Sequence, residues 1–527
     1  MDMSKSIYLT TAIDYVNGHP HLGHAYEKIL TDAIARFAHS CGNPVFFLTG
    51  VDEHGQKVQQ TAEKRALSPL AYCDELAVVW SQFIEKLGIC NNDYVRTTQP
   101  RHQKVVSAIL NKLYKEGHFY KESYRGFYSA KEETFLTEKD RLPDGSFDPM
   151  YGEVTELIED NYYFKLGEHQ QWLIEYIESH PDFIYPESRK NEVLGFLKKE
   201  KLEDLCITRP VSRLSWGIPL PFDSEFVTYV WFDALINYMS IAAAHGDLQI
   251  LKLLDLTPED FPENGQEQME IWPPDFQVIG KDIVKFHAVY WPIMLKAIGA
   301  PFPKRLIVHG WWQKNNQKMS KSTGNTVDPI AVINEWGLDA FRYYVLRELE
   351  VGPDGNWTDS GFETRYQVEL ANGLGNLVNR SLSMLNRYRD GIVPAKNDEL
   401  KNETEIIVQN TFKSYQDIKI QGALIKIWEL IYRANQYVDQ TAPFKLAKQP
   451  EQAQRLDEVL YNLVEICRIL AVILWPIIPE TAEKIYSQLG LNTQPDLWSE
   501  SFWGKLTPGH KVNKPMPLFP RRDLNKK

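Results

Sequence analysis

The sequence predicts an α/β fold: a parallel sheet split by an inserted module and followed by an all-helical bundle. Three observations carry that prediction. Strand-like and helix-like segments alternate at the N-terminus, and again from Phe226 to Val308. An aromatic, turn-rich stretch interrupts them from Lys121. Beyond Tyr366 the pattern is helical almost throughout. Alternation of this kind implies parallel strands joined by right-handed crossovers.

The elements follow in order. Ile7 to Ala12 reads as a strand, Gly23 to His39 as a helix and Val45 to Leu48 as a buried strand. The helix places Ile29, Leu30, Ala33, Ile34 and Phe37 at three-to-four spacing, which makes one buried face. Tyr124-Arg125-Gly126-Phe127-Tyr128 and Pro143-Asp144-Gly145-Ser146 give the inserted stretch a mostly β texture with turns. The α/β pattern returns at Val227-Thr228-Tyr229-Val230-Trp231-Phe232, Phe276-Gln277-Val278-Ile279-Gly280 and Arg305-Leu306-Ile307-Val308. Leu370 to Tyr388, Ala423 to Val438 and Leu456 to Leu474 have helical periodicity and suit a bundle. The boundaries expected are 1–120 for the first half of the sheet domain, 121–225 for the insertion and 226–325 for the second half. A connection over 326–366 and the helical domain over 367–527 complete the chain.

The composition narrows the class. At 527 residues the chain is too long for one core, and about three or four units are expected. Hydrophobic residues at 43% and charged residues at 24% are those of a globular protein. The longest apolar run, Ile469 to Ile478, contains Pro476 and is too short to span a membrane. The start, Met1-Asp2-Met3-Ser4-Lys5, leads straight into a strand-like segment, so neither a signal nor a transit peptide is expected. Cys41, Cys73, Cys90, Cys206 and Cys467 form no CxxC pair, so no disulfide framework or four-cysteine zinc site is readable, and a cytoplasmic home follows. A net charge of −12 argues against a nonspecific nucleic-acid coat but leaves room for a local basic patch. The tail from Ser501 is basic, with Arg521, Arg522, Lys526 and Lys527 near its end, and reads as a solvated terminus.

Two short strings carry the chemistry. His21-Leu22-Gly23-His24 follows a strand and opens a helix. A helix N-terminus presents free N–H groups and partial positive charge to phosphate, and Gly23 permits close approach. Two imidazoles there can donate to phosphate oxygens as charge develops at phosphorus, or can simply cap the helix. The same stretch also reads as HxHxxH through His19, His21 and His24, and Asp52-Glu53-His54 could complete a hydrolytic metal site. Lys318-Met319-Ser320-Lys321-Ser322 favours the phosphate reading, since mobile ammonium groups on a polar loop suit a leaving pyrophosphate. Alone, that string would be a solvated charge cluster. Neither a P-loop nor a GxGxxG motif is present to explain the pair otherwise.

With these motifs the chain resembles the class I aminoacyl-tRNA synthetases, and within them the methionyl-tRNA synthetase family. Leu22 stands where the family's first signature has Ile; the second signature matches in full. The likeness continues through Ala12-Ile13-Asp14-Tyr15, Gly50-Val51-Asp52-Glu53-His54-Gly55, Trp216-Gly217-Ile218-Pro219, Val230-Trp231-Phe232-Asp233-Ala234, Ile279-Gly280-Lys281-Asp282-Ile283, Phe286-His287 and Gly337-Leu338-Asp339-Ala340-Phe341-Arg342. It covers nearly the whole chain. The resemblance implies a class I synthetase Rossmann-like sheet and an anticodon-binding bundle.

It also implies roles, residue by residue. Asp52 would hold the substrate ammonium, with Arg209 close to the substrate. Ala12, Ile13, Tyr15, Trp231, Ala234, Tyr238, Ile283 and His287 would line a methionine pocket, where a thioether gains from aromatic contact and from one weak hydrogen bond supplied by Tyr15 or His287. ATP, with Mg²⁺ accompanying it, would meet His21, Gly23, His24, Glu27, Lys281, Asp282, Lys318 and Lys321. Of these, His21, His24, Lys318 and Lys321 would be catalytic. Asn376 and Arg380, one turn apart, would read an anticodon base, and Phe444 would stack on one in place of the family's usual Trp. Partners would be L-methionine and both the acceptor end and the anticodon of tRNA(Met). Where many members carry zinc-binding cysteines, this chain has Tyr128-Ser129-Ala130-Lys131-Glu132-Glu133, so no structural zinc is expected. The optional C-terminal dimerisation domain is not recognisable, which implies a monomer.

Three other readings stay open on the sequence. One is a class I synthetase for another aliphatic amino acid, although the compact insertion has no room for a large editing domain. Another is a tRNA-binding protein without catalysis, and the last is the metallohydrolase.

Overall fold

The computed structural model describes residues 5–522, apart from 130, 132–133, 137–139, 263–267 and 320–324. It divides into two compact units, one of Met1–Pro20, Phe46–Glu85 and Asn91–His309, the other of His21–Val45, Lys86–Cys90 and Gly310–Lys527.

The first unit is built on a seven-stranded sheet ordered Asp14–Tyr15, Val45–Asp52, Ile7–Thr11, Phe276–Gly280, Arg305–His309 and Ile184–Tyr185, with Asp93–Arg96 also paired to Val45–Asp52. Leu9 registers with Phe276, and Gln277 with Leu306, both in parallel. Runs such as Phe46-Phe47-Leu48 and Leu306-Ile307-Val308 are buried end to end, as a sheet covered on both faces requires. The strand read as Val45–Leu48 extends to Asp52. Gly50 interrupts the β-branched pattern, yet the packing demands it: a Cβ there would lie 2.1 Å from the Val95 carbonyl oxygen. Chain order reverses between Ile7–Thr11 and Phe276–Gly280, which makes a switch point at the carboxyl ends of those strands, where open α/β sheets bind ligands.

The insertion is a four-stranded sheet ordered Thr134–Leu136, Phe119–Ser129, Val154–Phe164 and Leu205–Cys206. Its spine is an antiparallel ladder that registers Phe119 with Phe164 at one end and Ser129 with Val154 at the other. A three-stranded sheet of Thr208–Pro210, Asp223–Thr228 and Pro219–Leu220 follows. The stretch is not β alone: it includes helices Gln170–Ser179 and Glu187–Lys199, and the dipeptide strand Ile184–Tyr185 returns to the edge of the parallel sheet. Phe119, Tyr162, Phe164 and Ile207 share one apolar core with Tyr8, Leu48 and the helix Val230–Ala244.

The second unit holds the helix Leu22–Ser40, a small sheet of Gln317–Lys318, Trp312–Lys314 and Gly355–Trp357, and the C-terminal helices. Of the helical stretches read from periodicity, Ala423–Val438 lies inside Ile420–Thr441 and Leu456–Leu474 inside Ala453–Leu474. Leu370–Tyr388 is a π-helical segment, Tyr366–Gly375, running into the α-helix Asn376–Arg389. Val459 to Leu474 is buried at every position, so this helix forms the centre of the bundle. Arg342, fully buried, ties Leu22–Ser40 into the same unit: it pairs with Asp32 at 2.5 Å and donates to the Ile477 carbonyl at 2.8 Å. Phe37 adds ring contacts to Phe412, Tyr415 and Trp498.

Candidate functional site

The residues expected to hold an amino acid all fall in the first unit, many at the carboxyl ends of its central strands. Ala12 follows Ile7–Thr11 and continues the ladder, its N–H donating to the Val278 carbonyl at 3.1 Å. Tyr15 registers with Asp52 on the neighbouring parallel strand, and the Val16 N–H donates to the Asp52 carbonyl at 3.1 Å. Asp52 is 7% exposed. A carboxylate at that depth is suited to a cationic ligand, because a buried charge gains from an opposite one.

Other expected residues lie on the helix Val230–Ala244 and on the π-helical turn Phe286–Tyr290. Trp231 and Ala234 lie near the helix start, and Tyr238 about a turn further on. Trp231 stacks on Phe286 with centroids 3.7 Å apart and planes 8° apart. Both indole and phenyl are half-buried, so the stack is a fixed apolar surface with an accessible edge. Tyr238 and His287 are buried and bonded, hydroxyl to Nε2 at 2.8 Å. His287 Nδ1 lies 3.1 Å from the Ile283 carbonyl, which can only accept. The neutral imidazole therefore carries its proton on Nδ1, and Nε2 accepts from Tyr238. That arrangement commits the His287 N–H to Ile283, so of the two residues offered as donors to a thioether, Tyr15 fits better. Ile13 and Ile283 are half-buried against the same core.

Arg209 lies in Thr208–Pro210, 4% exposed, and donates from Nη1 to the Thr208 carbonyl at 2.6 Å. Its guanidinium also sits over the ring of Tyr229, 4.7 Å from the centroid, just before the helix that carries Trp231. Lys281 and Asp282 form a short turn directly after Phe276–Gly280. Gly280 leaves that turn its room, since a Cβ would come within 2.6 Å of Asp282 Oδ1.

The first signature lies in the second unit as a helix cap whose side chains do the capping. His21 is the N-cap of Leu22–Ser40. Its Nδ1 accepts from the Gly23 N–H at 3.1 Å, and His24 Nδ1 accepts from the His21 N–H at 3.2 Å. The rings stack with centroids 3.6 Å apart. Because both Nδ1 atoms accept, each neutral ring carries its proton on Nε2, as a phosphate donor would need. Capping and phosphate donation, competing readings from sequence, are thus compatible. Glu27 is buried on the next turn and pairs with Lys28 at 3.0 Å, a partner that sequence reading missed. In the second signature, Lys318 closes the strand Gln317–Lys318, registered with Gln313, while Lys321 lies outside the described residues.

The metal reading loses its ligands to other partners. Glu53 accepts from Arg96 Nε at 2.7 Å, and His54 Nδ1 is 2.9 Å from Asp233 Oδ2. Among the described residues no group of three or more His, Cys, Asp or Glu side chains could hold a metal ion.

On the C-terminal helices Asn376 and Arg380 share a face, both half-buried, and Arg380 pairs with Asp439 at 3.1 Å. Phe444 is 45% exposed on the short helix Pro443–Leu446, an aromatic face open to a base.

Comparison with known proteins gives concordant matches along the whole chain. Residues 7–145 and 149–382 match the family model described as tRNA synthetases class I (M). Residues 389–525 match the anticodon binding domain of methionyl tRNA ligase. A methionine–tRNA ligase of Clostridium acetobutylicum is 42% identical over 534 residues, covering 100% of this chain and 80% of that protein. One from Bacillus subtilis is 39% identical, covering 98% and 78%. Among solved structures, Mycobacterium tuberculosis methionyl-tRNA synthetase in complex with methionyl-adenylate superposes with a TM-score of 0.88 at 36% identity, over 98% of this chain and 100% of that one.

Proposed function

The chain belongs to the methionyl-tRNA synthetase family of class I, and from that premise we propose how its own residues perform the reaction. The activity is that of a methionine–tRNA ligase: methionine is activated with ATP to methionyl-adenylate, releasing pyrophosphate, and the methionyl group passes to the 3′-terminal adenosine of tRNA(Met), for initiation and elongation alike.

The observation that supports the residue assignment is that Ala12, Ile13, Asp52 and Ile283 lie at or just beyond the carboxyl ends of central strands. Asp52 takes the substrate ammonium. Trp231, Phe286, Ala234, Ile13 and Ile283 receive the side chain, and the Tyr238–His287 pair closes the pocket floor. Size alone separates methionine from a shorter aliphatic chain by about 1–3 kcal/mol, so a bond from Tyr15 to sulfur adds useful discrimination. Arg209 orients the substrate carboxylate or the adjoining phosphate.

In the first step the methionine carboxylate attacks the α-phosphorus of ATP. His21 and His24 donate from Nε2 to phosphate oxygens, supported by the N-terminus of their helix. Glu27, Lys281 and Asp282 hold the nucleotide, and Gly23 admits it close to the backbone. Lys318 and Lys321 neutralise the leaving pyrophosphate. Mg²⁺ enters with ATP as part of the substrate. Catalysis is then positioning and electrostatic stabilisation, with no covalent enzyme intermediate.

For tRNA, Asn376, Arg380 and Phe444 receive the anticodon and the first unit the acceptor end. The insertion holds without structural zinc, a reading supported by its long antiparallel ladder and by Arg213, which pairs with Glu159 at 2.7 Å and stacks 3.8 Å over Tyr128. The protein is a cytoplasmic monomer. No helix among the described residues is long and apolar enough to cross a membrane. Residues 1–120 and 226–325 form the two halves of the catalytic domain, 121–225 the insertion, 326–366 a stem-contact connection and 367–527 the anticodon-binding domain.

The decisive measurement is ATP–pyrophosphate exchange. Exchange should depend on methionine and be weak with leucine, isoleucine or valine. Equal exchange with any of those three would remove the pocket assignment.

A further inference from the structure

Directly after Asp52 the chain is buried for two more residues, neither of which the reaction uses. Glu53 is 0% exposed and His54 2%. Glu53 is fixed on every side. Its N–H donates to Thr97 Oγ1 at 3.0 Å, its carboxylate accepts from Arg96 and Thr98, and its carbonyl accepts from Trp216 Nε1 at 2.5 Å. His54 points elsewhere. Its N–H reaches back to Asp52 Oδ1 at 3.4 Å, and its ring donates from Nδ1 to Asp233 Oδ2 at 2.9 Å.

Asp233 is fully buried in the first turn of Val230–Ala244, two positions after Trp231 and just before Ala234. The His54–Asp233 bond joins positions 179 residues apart, and it links the strand end that carries Asp52 to the helix that forms the pocket wall. Thr228 Oγ1 is a second, longer donor to Asp233 Oδ2 at 3.5 Å. Among the described residues the other carboxylate oxygen, Oδ1, has no hydrogen-bond partner; it lies 4.0 Å from His102 Nε2, a buried nitrogen that likewise has none among them. Burial raises the Asp233 carboxyl above its usual range, with His54 opposing the shift. A carboxylate this poorly solvated gives little net stability, since its desolvation offsets most of the attraction. Its merit is geometric: a buried, directional hydrogen bond fixes two elements at one spacing.

We propose that Asp233 and His54 are positioning residues for methionine binding: their bond sets the spacing between the Asp52 carboxylate and the Trp231–Ala234 wall. The inference rests on the assignment of Asp52 to the substrate ammonium. A pocket that must hold an ammonium at one end and a thioether at the other is sensitive to that spacing, and a misplacement of ~1 Å can cost about a hundredfold. ATP binding does not depend on it.

The test is steady-state exchange with methionine and ATP titrated separately. Asp233→Ala should raise the methionine KM tenfold or more and leave the ATP KM within twofold. Asp233→Asn, whose amide oxygen still accepts from His54, should restore the methionine KM to within a few-fold of the parent. Should the alanine variant fail to fold, His54→Asn probes the same bond from its other end and should raise the methionine KM alone. An unchanged methionine KM, a parallel rise in both KM values, or an asparagine variant as defective as alanine would each overturn the proposal. Asp52→Ala separates the two levels. If it leaves the methionine KM unchanged, the assignment of Asp52 fails; if it raises that KM while Asp233→Ala does not, only the positioning role fails.

Discussion

The proposed methionine pocket and the proposed triphosphate-binding signatures are built by opposite means. In the pocket the polar groups are buried and bonded to protein: Tyr238 to His287, His287 to Ile283, and His54, behind Asp52, to Asp233. In the signatures His21 is exposed at a helix cap and Lys318 closes a two-residue strand. A neutral side chain such as methionine's offers little for electrostatics to grip, so its recognition depends on a rigid, shaped wall. A triphosphate carries charge that changes during reaction, so its partners must be cationic or must carry a proton on the correct nitrogen. Shaped pocket and charged grip should therefore fail differently when altered.

The largest effect is expected on the phosphate side. Lys321→Ala should lower the exchange rate by about a hundred- to a thousandfold, the scale seen when one charge-stabilising donor is lost, and leave equilibrium methionine binding nearly unchanged. Unchanged exchange would remove Lys321 from the pyrophosphate site. On the rigid side, Asp52→Ala should weaken methionine binding by about 2–3 kcal/mol, on the order of a hundredfold, as expected for a lost charge-assisted bond. Calorimetry reads this directly, and ATP affinity should be spared. If both affinities fall together, the two sites are not built independently.

The next effect concerns stability and bears on rigidity itself. Burial lowers the His102 imidazole to about 3, and its Nδ1 is bonded to Ser240 at 2.9 Å. The unfolded chain takes up a proton at this residue below about 6.5, whereas the folded one stays neutral there. Stability from His102 is thus full above that value and is lost as pH falls toward the folded value. Between pH 7 and pH 5 the loss should be about 2 kcal/mol. His102→Gln should flatten the stability profile over that range in denaturant unfolding. A profile as steep as the parent's would assign the acid sensitivity to other groups.

Much of this architecture was legible in the residues. The helix read as Gly23–His39 is Leu22–Ser40, and the strand read as Ile7–Ala12 is Ile7–Thr11, because apolar periodicity reports burial directly. The strand read as Val45–Leu48 runs on through Gly50 to Asp52, and only the Val95 backbone beside it explains a glycine inside a strand. The dipeptide strand Ile184–Tyr185 is too brief to have a period. The candidate site divides along the same line. The signatures are local strings, visible in the chain. Phe286 behind Trp231 and Asp233 behind His54 are partners across long sequence separations, and no local pattern gives such pairings. Glu53 and His54 looked like metal ligands because ligand geometry and buried hydrogen bonding draw on the same residue types.

The smallest predicted effect isolates the pocket floor. Tyr238→Phe keeps the ring, its contact with His287 and the Tyr238 carbonyl that accepts from Tyr8 at 2.8 Å. Only the hydroxyl is lost, so His287 Nε2 loses a donor while Nδ1 keeps its bond to Ile283. A neutral hydrogen bond contributes about 1 kcal/mol net, so methionine affinity should fall by about fivefold, with ATP affinity and the exchange rate at saturating methionine unchanged. The variant also separates two roles for His287. If the histidine only closes the floor, an aliphatic competitor such as norleucine should lose affinity in proportion to methionine. If the freed Nε2 disturbs the thioether specifically, methionine should lose more than norleucine. Binding of both ligands to both proteins, compared as a double difference, decides between them.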